Sequence, residues 1–233
     1  MITEALILSG GMGTRLRQAV PDLPKVMAPV SGNPFLYYLI KSLQKKGISH
    51  FVFLLGYKHE LVTEYLNEYF QSIKKTFVIE GTPLGTGGAI LNGLTYCTEK
   101  TVAITNGDTF FDVNISQMEI LHNSKKSDCT LALKPMKNYN RYGSVTMNKD
   151  ASIKEFIEKK EVSEGNINGG FYLIERAQLM THQLPHTFSF EKNYLENKNI
   201  NKKMFGIVDD SYFIDIGIPE DYSKAQSEIH NQI

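Results

Sequence analysis

Near the start of the chain, Gly10, Gly11 and Gly13 are followed by two cations, Arg15 and Lys25. The glycines come directly after Ala5–Leu8, a short and nearly unbroken apolar run. Glycine adopts φ > 0 and lets backbone N–H groups come close to a ligand. Such N–H groups, arranged as a nest, bind anions. A glycine turn at a strand tip with two cations beside it suits the phosphates of a nucleoside triphosphate. The spacing is not that of a P-loop, because no Gly-Lys-Ser/Thr follows. Nor is it the dinucleotide fingerprint, because Leu16 stands where the third glycine would be.

A second glycine-rich stretch runs Glu80-Gly81-Thr82-Pro83-Leu84-Gly85-Thr86-Gly87-Gly88-Ala89. It lies between a strand-like run and a helix expected from Ala89 to Tyr96. That position marks a place of close backbone approach rather than a flexible linker. Asp108, in Asn106-Gly107-Asp108, sits at the tip of another apolar run. A lone aspartate there is either a turn cap or a hard oxygen ligand of the kind Mg²⁺ takes when it also holds substrate phosphates. Asp112 reads as a turn residue. The pair Glu158-Lys159 reads, on its own, as a solvated ion pair. The six histidines form no constellation. His182 and His186 have helical spacing, but Pro185 breaks the helix that would align them.

The elements that must hold these residues alternate. Ala5–Leu8 reads as a strand buried on both faces, as in a parallel sheet, Phe51–Leu55 as another buried strand, and Thr76–Ile79 and Val102–Thr105 as further strands. Between them, a helix is expected from Pro34 to about Lys46, with Asn33 as its cap and Gly47 as its terminator. Another spans Glu60 to Phe70. Alternation of this kind implies a Rossmann-like, doubly wound, mostly parallel α/β sheet, whose ligands bind at the carboxyl ends of the strands. From Asp128 the texture becomes β-rich, with strand-like runs at Cys129–Pro135, Ser144–Met147, Ile153–Ile157, Phe171–Ile174, Met204–Val208 and Tyr212–Ile214. A helix capped by Ser189 is expected over Ser189–Leu195, and a last one from Pro219. The expected organisation is one domain over 1–233. Residues 1–127 form mainly a nucleotide-binding half, and 128–233 a smaller β-rich portion.

Composition narrows the function classes. The chain has 233 residues, with 25 acidic and 25 basic side chains. A balanced charge argues against a nucleic-acid groove. No apolar run reaches the length of a membrane span. Cys97 and Cys129 read as buried thiols of a reducing compartment, so a cytoplasmic location is expected. A homo-oligomer is left open.

Gly10-Gly11-Met12-Gly13-Thr14-Arg15-Leu16, with Pro24-Lys25 and Pro29, resembles the signature of the sugar-1-phosphate nucleotidyltransferases. Gln18 departs from it, standing where many members have proline. The closing Asp215-Ile216-Gly217-Ile218-Pro219-Glu220-Asp221-Tyr222 is similar to the family's Asp-x-Gly-x-Pro-x-Asp-Tyr, although no tryptophan or tyrosine precedes it directly. The resemblance covers essentially the whole chain. It implies transfer of a nucleoside monophosphate to a sugar 1-phosphate with release of pyrophosphate, and Mg²⁺ on Asp108 and Asp215. Arg15, Lys25 and Asp108 would be catalytic. Leu8, Gly10, Gly11, Gly13, Thr14, Arg15, Glu80, Pro83, Gly85 and Thr86 would hold the nucleotide. Tyr142, Gly143, Glu158, Lys159, Asn168 and Gly169 would hold the sugar phosphate. The family's Glu-Lys-Pro is here Glu158-Lys159-Lys160, which leaves Lys160 unexplained.

Pro83–Ala89 is similar to guanylyltransferases acting on mannose or heptose 1-phosphates. Thr187–Leu195 resembles the heptose branch. The implied substrates are GTP and D-glycero-α-D-manno-heptose 1-phosphate, giving a nucleotide sugar for surface polysaccharide synthesis. A mannose-1-phosphate guanylyltransferase, a uridylyltransferase and a non-catalytic nucleotide-sugar-binding regulator remain alternatives. The regulator would be expected to lack one of Arg15, Lys25, Asp108 or Asp215.

Overall fold

A computed structural model describes residues 1–11, 16, 20–158, 162–200 and 202–233. In chain order the strands are β1 (Glu4–Ser9), β2 (Pro29–Val30), β3 (Asn33–Pro34), β4 (His50–Leu55), β5 (Lys74–Ile79), β6 (Thr101–Asn106) and β7 (Thr109–Phe111). Then come β8 (Cys129–Tyr139), β9 (Ser144–Met147), β10 (Ile153–Ile157), β11 (Val162–Glu175), β12 (Met204–Val208) and β13 (Phe213–Asp215). The helices are α1 (Phe35–Lys45), α2 (His59–Tyr69), α3 (Gly85–Leu94), α4 (Ile115–Lys125), α5 (Arg176–Thr181) and α6 (Pro219–Glu228).

The main sheet runs β10-β9-β11-β6-β1-β4-β5, with β8 also on β11 and β12 on β8. β1 pairs in parallel with β4 and β6, and β4 in parallel with β5. β11 then runs antiparallel to β6, β8 and β9. The fold is thus mixed α/β around a large central sheet, parallel where the apolar runs are continuous. Continuity follows from burial on both faces: Ala5 and Ile7 pack with Leu36 and Leu39 of α1 and Val62 of α2, whereas Leu6 packs with Ala89 and Ile90 of α3.

A third cluster closes the molecule. Leu16, Val20, Val30 and Phe35 pack with Phe110, Ile214, Ile216, Ala225 and Ile229, so the start of the chain rests on its last segment.

Several boundaries differ from the expectation. Asn33 does not cap α1. It is held in the β2–β3 ribbon, whose turn residues Ser31 and Gly32 have φ of 44° and 85°, and Pro34 occupies the cap position instead. Gly47, at φ 94°, does end the helix. α3 starts at Gly85 rather than Ala89, because tertiary contacts hold the glycines in a helix they would not form alone. α4 gave no sequence signal. Its inward face is only Ile115, Met118 and His122, and Ile120 points to solvent. Ser189 caps its helix as expected, its Oγ accepting from Lys192 N, but the turn over Phe190–Leu195 is π-wound.

Candidate active site

A cleft of about 560 Å³ opens at the carboxyl ends of β1 and β6. Its walls include Leu8, Gly11, Lys25, Gly85, Thr86, Asp108, Tyr142, Gly143, Glu158, Asn168 and Asp215. All of these were singled out from the sequence. Asp108 and Asp215 are brought together by a small ribbon, in which β13 pairs antiparallel with β7 and places Asp215 opposite Thr109. Ile216 N donates to Asp108 O at 3.1 Å, which fixes the two loops at the ribbon's end. Lys25 Nζ donates to Asp108 Oδ2 and lies 3.6 Å from Asp215 Oδ1. Gly217 N donates to Asp215 Oδ1 at 2.8 Å.

Burial, then the charge of Asp108, push the Asp215 carboxyl up, against the opposing pull of Lys25 and Arg141. Asp215 thus sits part-buried beside a second carboxylate, an environment that a divalent cation fits. Among the described residues no group of three or more His, Cys, Asp or Glu is placed to hold a metal. Two carboxylates alone suit an ion that completes its shell with phosphate oxygens and water.

Other expected site residues lie differently. Gly10 and Glu80 are neighbours behind the cleft wall, Glu80 Oε2 being 3.6 Å from a Cβ built on Gly10. Burial raises the Glu80 carboxyl, partly offset by the Leu84 N–H. Pro83 is exposed, outside the cleft lining. Gly169 packs against the Phe111 ring, and its neighbour Gly170, at φ 70°, lies against Asn106. Gly13, Thr14, Arg15, Lys159 and Lys160 lie outside the described residues. Asp112 pairs with Lys46 at 2.7 Å, away from the cleft.

The second glycine stretch meets its own chain. A Cβ on Gly87 would fall inside the Phe188 ring, one on Gly88 would strike His186 O, and one on Gly85 would lie 2.5 Å from Phe188 O. Gly87 N donates to Phe188 O at 2.9 Å and Phe188 N to Leu84 O at 3.0 Å. The same segment adds residues that the sequence reading did not place in the site: Ser189, Glu191 and Lys192 line the cleft. Arg141 is a further addition. It pairs with Asp221 of α6, and its Nη2 donates to Tyr142 Oη at 2.5 Å. Its signal was available, because it immediately precedes Tyr142-Gly143 and a half-buried arginine is steadied by an acid such as the Asp221 of the closing motif.

Sequence comparison matches residues 4–232 to the model of the family described as nucleotidyl transferase. The chain belongs to the nucleotidyl transferase family. It is 47% identical over 230 residues to the D-glycero-α-D-manno-heptose 1-phosphate guanylyltransferase of Aneurinibacillus thermoaerophilus, covering 99% of this chain and 100% of that one. It is 41% identical to the enzyme of the same name from Campylobacter jejuni, over 94% of this chain and 96% of the other. Among solved structures, HddC from Yersinia pseudotuberculosis in complex with GMP-PN superposes with a TM-score of 0.86 at 33% identity, covering 97% of this chain and 99% of that one. The chain is therefore a nucleotidyltransferase with the Rossmann-like fold of that family.

Proposed function

We propose that this nucleotidyltransferase transfers GMP from GTP to D-glycero-α-D-manno-heptose 1-phosphate, releasing pyrophosphate and forming a GDP-heptose for surface polysaccharide synthesis in the cytoplasm. The observation that carries nucleotidyl transfer is the β7–β13 ribbon, which sets two carboxylates around Lys25 at the floor of the cleft. The choice of base and sugar is supported by the two full-length relatives of that name.

The reaction asks little of the protein in proton transfer. A phosphate oxygen of the sugar 1-phosphate is anionic at neutral pH and attacks the α-phosphorus. The new P–O bond forms as the bond to pyrophosphate breaks. Positioning and charge neutralisation do the rest. Lys25 bridges the α-phosphate and the incoming sugar phosphate. Arg15 neutralises the leaving pyrophosphate, and Lys159 contacts the sugar phosphate. Asp108 and Asp215 would hold Mg²⁺, which supplies positive charge shared among the phosphates. Leu8, Gly11, Gly13, Thr14, Gly85 and Thr86 form the nucleotide side, with Gly10, Glu80 and Pro83 supporting it from outside the cleft lining. Tyr142, Gly143, Glu158, Asn168 and Gly169 form the sugar side, within one working domain.

The test is pyrophosphate release by the wild type with GTP, ATP, UTP and CTP against heptose and mannose 1-phosphates. The highest kcat/KM is expected for GTP with heptose 1-phosphate. A preference for UTP, or for mannose over heptose, would sink the substrate assignment. Asp108→Asn is nearly isosteric and is expected to abolish most turnover without moving the melting temperature. Full activity of that variant with Mg²⁺ would remove Asp108 from the site.

A further inference from the structure

We propose that Glu191 is a sugar-contacting specificity residue, accepting hydrogen bonds from hydroxyls of the bound sugar while tethered to the nucleotide loop. The proposal rests on the sugar-1-phosphate reading given above.

The cleft has two poles. At one, Lys25 and Arg141 stand with Asp108 and Asp215. At the other, Glu158, Asn168 and Glu191 line the wall. The buried phenol of Tyr172 adjoins this second group, and its ring meets that of Phe190, the neighbour of Glu191, edge-on. It accepts from Asn168 Nδ2 at 2.7 Å, and it is pushed up by burial first, then by the charge of Glu191, with a smaller push from Glu158. Lys25 and Arg141 set positive charge beside Asp108 and Asp215, so the reacting phosphates belong at the first pole. A carboxylate accepts hydrogen bonds and donates none, so the second pole needs a ligand rich in O–H donors. A sugar 1-phosphate has this polarity, with one anionic end and neutral hydroxyls everywhere else.

Glu191 is also held in place as a recognition group must be. Its Oε2 accepts from Thr86 Oγ1 at 2.7 Å and from Ser189 Oγ at 2.9 Å. Thr86 Oγ1 in turn accepts from Phe190 N at 2.9 Å. The residue is second in the π-wound turn, a distortion that often marks functional positions. The stacked, buried rings of Phe190 and Tyr194 brace that turn from behind. Thr86 belongs to the second glycine stretch, so the carboxylate spans the joint between the nucleotide loop and the sugar pole.

The experiment is steady-state kinetics of Glu191→Gln beside the wild type, with GTP and heptose 1-phosphate. Glutamine retains a carbonyl oxygen for Thr86 and Ser189 but loses the charge. The KM for the sugar is expected to rise about tenfold, the size of one lost charge-assisted contact. The KM for GTP should stay within about twofold, because uniform binding of the other substrate is untouched. With a set of singly deoxygenated sugar 1-phosphates, the analogue lacking the contacted hydroxyl should be used equally well by both proteins, a result that a purely structural strut would not produce.

A KM for GTP that rises as much as the sugar's, or identical discrimination of every deoxy analogue by both proteins, overturns the proposal. Should the wild type favour another sugar 1-phosphate, the same comparison is made with that sugar, which separates failure of the substrate assignment from failure of the Glu191 role. No turnover of any sugar 1-phosphate overturns both.

Discussion

The two glycine-rich stretches look alike as sequence and differ as structure. In the first, a Cβ on Gly11 would meet none of the described residues within 4 Å, and one on Gly10 makes only ordinary contact with Glu80. In the second, Gly85, Gly87 and Gly88 are pressed against Phe188 and His186. The first leaves room for a ligand, and the second has spent its room on its own chain. A run of glycines announces that some atom approaches the backbone closely, but the partner can be substrate or protein.

That contrast can be broken by placing one methyl group at each position. The largest effect is expected for Gly87→Ala, whose Cβ must displace the Phe188 ring. A loss of about 3 kcal/mol, the upper end for overpacking, should appear in urea unfolding. In a Phe188→Ala background the same change should cost less than about 1 kcal/mol, since the clash is gone. Equal costs in both backgrounds would mean that Phe188 is not what the glycine accommodates. Gly85→Ala combines a φ of 71° with a close carbonyl, so a loss of about 2 kcal/mol is expected from strain and crowding together.

Gly11→Ala should behave oppositely. Stability should stay within about 0.5 kcal/mol, while the KM for GTP rises about tenfold as the methyl group intrudes on the nucleotide. An unchanged KM would show that the open side of Gly11 faces only water. The smallest effect is expected at Gly81, exposed and with nothing within 4 Å of its Cβ. Gly81→Ala should leave both melting temperature and kinetics near wild type, with stability within about 0.5 kcal/mol.

The same distinction explains what was legible in the sequence. Ala5–Leu8 and Phe51–Leu55 are apolar on successive residues, and only burial on both sheet faces tolerates that, so the parallel strands could be read directly. Asp108 and Asp215 could be marked as strand-end carboxylates. Their meeting around Lys25 could not be derived from either one, because it depends on three-residue strands that pair only across the closed fold. Glu191 was hidden for a related reason. Its position rests on Thr86, in a contact between residues 105 apart in sequence. α4 was missed because His122 is buried on its inner face, with Nδ1 2.9 Å from Thr130 Oγ1. A polar residue turned inward while Ile120 turns outward erases the periodicity that helix reading depends on.

The third hydrophobic cluster has a consequence for how the protein is made. Leu16 and Val20, which flank the first glycine loop, are covered by Ile214, Ile216, Ala225 and Ile229. A chain emerging from the ribosome presents its N-terminal residues first. The loop's apolar flank therefore lacks part of its cover until residues 214–229 have been made. Asp215 arrives in the same late segment as that cover. A nascent chain thus acquires its second acidic group and the support beneath its first loop together, and an unfinished chain has neither.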